Sequence, residues 1–302
     1  SFMAVAGLPF AALSVLVFVP LVGGESNLNA LWLGITLALF YLAMTAYVVP
    51  YTALISEYGH SSKERLNIST MISITWALGA MTGNMVYSLR PMFEPVFGAV
   101  GSFQMVLALF ATVAAICMYL PVFLIDEKKY ALTGENTQKP FEAFASALKN
   151  RDFRFFVLSD FMYWLALTFI QTGIAFYVIT LLELPEGFTS TLLVLLFLLS
   201  FVFYVPVNVL AKAIGKKRTL AIAFVLFALV FLFVSVLGLV PLPPAIQGYL
   251  LVALAAIPLS AFGILPNAII ADIADADAKQ QGNHKAAIFF GLRGLVMKLG
   301  IA

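Results

Sequence analysis

The chain has 302 residues, 62% of them apolar and only 11% charged, and its mean hydropathy is +1.01. A soluble domain runs near half apolar and about a quarter charged, so this composition excludes a water-soluble globular protein. A net charge of +2 with no basic, aromatic-interleaved patch excludes a nucleic-acid binder, and a single cysteine, Cys117, excludes intrachain disulfides.

About 20 apolar residues are needed to cross a hydrocarbon layer roughly 30 Å thick. Nine runs answer to that description: 1–22, 29–56, 67–88, 101–125, 154–182, 188–211, 218–239, 246–271 and 286–302. The sequence lacks the alternating ten-residue segments of a membrane β-barrel, and a backbone in lipid must bond to itself. The expected fold class is therefore an all-α polytopic membrane bundle. The first run is apolar from its start and the last stops at Ala302 with no polar end, so the sequence reads as an internal piece of a longer transporter-like chain.

Residues 126–153 are polar and divide four spans from five. Within them, Pro140–Lys149 reads as a short surface helix. The expected organisation is 1–125 as the remainder of a first six-helix half, 126–153 as a cytoplasmic linker, and 154–302 as the second half.

Basic residues set the orientation. Lys63, Arg65, Lys128, Lys129, Lys139, Lys149, Arg151, Arg154, Lys212, Lys216, Lys217, Arg218, Lys279 and Lys285 all fall at one set of span ends. Arg90 alone falls at the other set, and the remaining two of the 17 basic residues, Arg293 and Lys298, lie inside a span. Lysine and arginine concentrate on the cytoplasmic side, so the loops at 57–66, 126–153, 212–218 and 272–285 are expected to be cytoplasmic.

Charges inside spans carry chemistry, because one at a helix centre costs about 2.5–3.5 kcal/mol on insertion scales unless it is paired or hydrated. Three qualify: Asp160, Arg293 and Lys298. Asp160 and Arg293 lie at similar depth and are expected to pair, while Lys298 falls near the midplane. Asp160 shares a helical face with Trp164, Thr168 and Gln171, a stripe better suited to a watery cavity than to lipid. Tyr47 and Tyr51 are further candidates for stacking on a solute ring, although aromatics also serve packing and membrane interfaces. The only histidines, His60 and His284, are isolated, and no metal cluster or phosphate loop is visible.

The second and eighth spans end alike. Pro50-Tyr51-Thr52-Ala53-Leu54-Ile55-Ser56-Glu57 is followed by Lys63-Glu64-Arg65, and Pro266-Asn267-Ala268-Ile269-Ile270-Ala271-Asp272-Ile273-Ala274-Asp275 is followed by Lys285. Each has a proline within a helix, an apolar turn, a carboxylate at the mouth and then basic residues, as two parallel repeats of a transporter would. Pro50, Glu57, Arg65, Pro266, Asp272 and Asp275 are therefore gate candidates, with Arg293 beside them as a structural one.

At these residues the sequence resembles the glycoside–pentoside–hexuronide:cation symporters, the melibiose-permease-like branch of the major facilitator superfamily. The loop Gly215-Lys216-Lys217-Arg218 is similar to that superfamily's basic signature, and Lys298 falls where the family carries a lysine in its eleventh helix. The resemblance implies a twelve-helix bundle with helices three to eleven present here. It further implies a non-enzymatic symporter of a sugar or glycoside in the plasma membrane, with a coupling cation, Na+ or H+, and no other cofactor. The partners implied are a small solute and membrane lipid, with no nucleic acid and no obligate protein. Val48 and Ile72 stand where the family has an aspartate and an arginine, which leaves open a carrier of an amphipathic, lipid-like solute. An integral-membrane enzyme or a receptor is the remaining alternative class; membrane enzymes usually cluster His, Asp or Ser at one leaflet, whereas the two histidines here are isolated, and a structural or scaffold role would not need Lys298 at the midplane.

Overall fold

A computed structural model describes residues 2–124, 140–185, 187–281 and 285–301. Half of the expected linker, 126–139, with Lys128, Lys129 and Lys139, lies outside the described residues, as do His284 and the Gln171 side chain.

The described chain is helical throughout its spans. The helices are α1 (Phe2–Leu16), α2 (Asn27–Tyr58), α3 (Ser62–Asn84), α4 (Val86–Leu124) and α5 (Pro140–Lys149), followed by α6 (Arg151–Phe176), α7 (Gly187–Ile214), α8 (Lys216–Ser235), α9 (Pro244–Gln281) and α10 (Ala286–Ile301). Each of the nine expected spans lies largely within one of these, and six helices are long and apolar enough to cross a membrane by length and composition. Helices α1 and α10 have 15 and 16 residues, and α3 is diluted by Lys63, Glu64, Arg65 and a run of serines and threonines. Large apolar side chains cover the outside, Phe123 being 79% exposed, as expected where acyl chains and not water are the solvent.

Local chemistry fixes several ends. Asn150 caps α6 by accepting from the Phe153 amide at 3.1 Å, and Asp152 in the first turn complements the positive end of the helix dipole. Pro244 opens α9 at a position whose amide has no helical partner to lose. Beyond Phe176 the coil widens into a π-turn, Tyr177–Leu181. Pro50 and Pro266 both sit inside continuous helices, as expected.

Two stretches differ from the expectation. Residues 89–100, read as a loop, are largely helical: α4 begins at Val86 and is broken at Gly98, whose φ of 69° with ψ of 178° is a combination essentially confined to glycine. Leu89, Met92 and Val96 recur at helical spacing through this segment, which also contains Pro91 and Pro95. Helix α9 also runs ten residues beyond its apolar span, to Gln281, so Asp272, Asp275 and Asp277 lie on a helix and not in a loop.

The chain divides into two compact units, Ser1–Tyr58 with Leu78–Thr133, and Gly59–Ala77 with Gly134–Ala302. In the first, α1 packs on α2 and α4. Tyr47 donates to the Met118 carbonyl and Tyr119 to the Ala4 carbonyl, both at 2.7 Å. In the second, α9 is central and packs on α7, α8 and α6. Its Phe262 stacks on Tyr163 at 4.0 Å between ring centroids, with Phe224 and Phe227 closing around it. The first turns of α3 join this unit through hydroxyls: Ser69 donates to the Ile264 carbonyl, Ser73 to the Gly263 carbonyl at 2.7 Å, and the Asn208 amide to Thr70.

Candidate functional site

Helices α6 and α10 run in the same direction, and three contacts set their register. Near the basic ends Phe153 meets Phe289 edge-on at 4.9 Å. One turn further, the Arg293 guanidinium lies 6.0 Å over the Phe156 ring and donates to both Asp160 oxygens, from Nε at 2.9 Å and from Nη2 at 3.3 Å. Two turns beyond that, Gly300 allows the helices to close, because a Cβ there would stand 3.0 Å from the Trp164 Cβ and 3.2 Å from the Phe161 carbonyl.

The remaining Arg293 nitrogen, Nη1, donates to the Asn267 amide oxygen on α9, next to Pro266. One guanidinium thus joins three helices. The Asp160 side chain is 1% exposed and that of Arg293 13%, so the pair is withdrawn from water and fully hydrogen-bonded, the condition under which a buried pair persists. The expected Asp160–Arg293 proximity is present. Asn267 was legible only as a neighbour of Pro266.

Trp164 lies on the same stretch of α6, 5.2 Å from the Tyr163 ring, and its indole Nε1 is buried with no hydrogen-bond acceptor among the described residues. Thr168 donates back to the Trp164 carbonyl at 2.9 Å and so keeps its hydroxyl on its own helix. Lys298 is exposed. At 100° per residue it sits about 150° around α10 from the Phe289–Arg293–Gly300 face, so it belongs to a different surface from the Asp160 pair.

A second cluster forms where the basic loops converge. Asp272 on α9 receives Arg65 Nε at 2.6 Å, Lys216 Nζ at 2.7 Å and the Ser62 hydroxyl at 2.9 Å. Arg65 also reaches Asp275 at 3.2 Å and the Gly59 carbonyl at 2.7 Å, while Lys279 holds Asp275 at 2.9 Å from one turn away. The Arg65 and Lys216 side chains are 7% and 10% exposed, and Asp272 is 29% exposed, so the cluster is shielded on one side and wet on the other. Asp272 lies nine residues before the end of α9, where the end-of-helix penalty on a carboxylate has faded. Ser62 was not singled out from the sequence, and Lys216 was read as part of the basic Gly215-Lys216-Lys217-Arg218 loop and not as a partner of Asp272.

In the first unit Tyr47 and Tyr51 stack at 6.1 Å with ring planes 21° apart. The buried Tyr47 hydroxyl bonds within the bundle, and Tyr51 is half-buried. Pro50 and Glu57 are half-buried on the same helix.

A multi-pass helical bundle with charged groups paired inside and latched at one end has the build of a membrane carrier. The chain matches the family described as MFS/sugar transport protein over residues 1–302, and it belongs to that family. It is a multi-pass integral membrane transporter for a small solute and not an enzyme. Its fold is similar to the crystal structure of FucP, a major facilitator superfamily transporter, in the outward conformation, with 15% identity and a TM-score of 0.59 over 99% of this chain and 81% of that one. It is likewise similar to the E. coli fucose:proton symporter FucP, with 14% identity and a TM-score of 0.61 over 99% and 82%. No curated protein sequence matches the chain.

Proposed function

We propose that the chain carries out cation-coupled symport of a sugar or glycoside by alternating access, within the melibiose-permease-like branch of its superfamily and in the plasma membrane. The observation that carries this reading is the Arg65–Asp272–Asp275–Lys216 cluster. Helix α3 belongs by sequence order to the first six-helix half and α9 to the second, so these ion pairs and the Ser69 and Ser73 bonds beside them tie one half to the other at the cytoplasmic mouth. Such a tie is a gate: made, it closes that mouth, and broken, it lets the halves rock about a central site. The proton is the favoured coupling cation because FucP, of like fold, is a proton symporter; sodium is the competing one.

Asp160 gives both oxygens to Arg293, so it is assigned to holding α6, α9 and α10 together and not to binding the cation. Lys298 is the coupling or solute residue, with Trp164, Gln171, Tyr47 and Tyr51 as candidates for contact with the solute. A lysine within a span is costly unless it is paired or hydrated, and its ammonium can donate directly to solute oxygens.

The test is uptake in vesicles by the full-length transporter, with protein level measured alongside. Wild-type protein is expected to accumulate a sugar or glycoside down an imposed proton gradient. Lys298→Ala is expected to insert normally and lose accumulation, and Lys298→Arg to restore little of it, because a rigid guanidinium fork does not replace a compact ammonium. Wild-type accumulation by Lys298→Ala would remove that residue from the mechanism. Cation flux driven by an amphipathic solute and by no sugar would overturn the solute class.

A further inference from the structure

Among its described residues, helix α5 is held through Ser146 and Ala147. Its Ala147 is buried where it packs on α6 and α10, and its Ser146 hydroxyl bonds Lys285 Nζ at 2.9 Å. Lys285 stands 3.9 Å from Asp277, which also accepts from the Asn150 side chain at 3.0 Å. The side chains of Lys285 and Asp277 are 0% and 1% exposed. A buried charge pair of this kind fixes register more than it stabilises, and through the bonds of its members to Ser146 and Asn150 it fixes α5 against the starts of α6 and α10 and the end of α9.

The flank of α5 next to its buried Ala147 is apolar and exposed. Phe144 and Leu148 lie one turn apart on it, 41% and 44% exposed, and Phe155 in the first turns of α6 is a further exposed apolar side chain, at 64%. Cations flank it: Lys149, Arg151 and Arg154 are exposed, and the Arg151 guanidinium lies 5.7 Å over the Phe155 ring. An apolar strip edged by three cations, next to the start of a membrane span, has the pattern of a helix lying in the plane of an anionic bilayer surface. A cavity of about 590 Å3 between α5 and α9, lined by Lys149 and Arg151 together with Asp152 and Asp277, lies on the other flank of α5.

We propose that α5 is an anchor on the cytoplasmic leaflet. Phe144 and Leu148 enter the headgroup–acyl boundary, Lys149, Arg151 and Arg154 bind phosphates of anionic phospholipids, and the Lys285–Asp277 pair holds the helix at that depth as part of the second half. The proposal rests on the basic ends being cytoplasmic.

The experiment uses the full-length transporter without Cys117 in nanodiscs, with a nitroxide at Phe144→Cys, Leu148→Cys or, as a control, Lys149→Cys. The labels at 144 and 148 are expected to be open to oxygen and shielded from a water-soluble nickel complex, and the label at 149 to show the reverse. Replacing phosphatidylglycerol by phosphatidylcholine, or changing Lys149, Arg151 and Arg154 together to Gln, is expected to return the 144 and 148 labels to nickel access. Nickel access in both lipids would overturn immersion. Immersion unchanged by lipid charge or by the triple change would overturn the anionic partner. Shielding from both reagents would mean that protein, not lipid, covers the strip. Labelling of Lys149→Cys by an impermeant reagent from outside alone would refute the orientation, separately from these outcomes.

Discussion

Asp160 and Arg293 show how a single pair can hold three helices in register. Removing either leaves its partner buried and uncompensated, at a cost of about 3–5 kcal/mol. Asp160→Ala is therefore expected to lower the melting temperature of the purified transporter sharply. Asp160→Ala with Arg293→Ala should recover part of the loss, since residues in direct contact couple by about 0.5–3 kcal/mol. Equal stability of wild type and both single variants would show that the pair contributes nothing. This pair was legible in the sequence because an unpartnered intramembrane charge is costly, and two charges at similar depth supply each other's remedy. Asn267 and Lys216 were not legible as partners. Whether a donor reaches an acceptor 26 or 56 residues away depends on the rotation of each helix about its axis, and span hydropathy does not encode that rotation.

At the scale of elements, hydropathy located the spans and misjudged where helices stop. Helix α9 leaves its apolar stretch at Ala271 and continues to Gln281 because alanine, lysine and glutamine are strong helix formers in water as well as in lipid. The continuation matters, since it carries Asp272 and Asp275 at i, i+3 on one face, within reach of Arg65 and Lys216. Exposed ion pairs contribute little and are screened by salt, but this cluster is partly sheltered and shares each carboxylate among several donors. Asp272→Asn is expected to raise the reactivity of a cysteine placed at Ser69 toward a reagent applied from the cytoplasmic side, and the charge exchange Arg65→Asp with Asp272→Arg to reduce it again. No change in that reactivity would mean that the serine bonds alone close the seam.

Over the whole molecule, the lysine and arginine bias predicts which ends share a side. Within the second unit, Arg65, Lys216 and Lys279 converge on one pair of carboxylates, as residues from opposite membrane faces could not. A cysteine at Pro241 in a Cys117→Ser background is expected to react with an impermeant external reagent in intact cells, and one at Lys217 only after permeabilisation. The reverse pattern would invert the topology.

The π-turn at Tyr177–Leu181 has a consequence for the phase of the chain. A π-turn holds one residue more than an α-turn, so it resets the rotation of everything beyond it by about 100° without disturbing what precedes it. A residue deleted within Tyr177–Leu181 can be absorbed by a return to α pitch. A residue deleted between Phe156 and Trp164 would turn Trp164 about 100° away from Gly300 while Phe153 still faced Phe289. The membrane end of α6 is thus tolerant of changes in length, and its paired stretch against α10 is not.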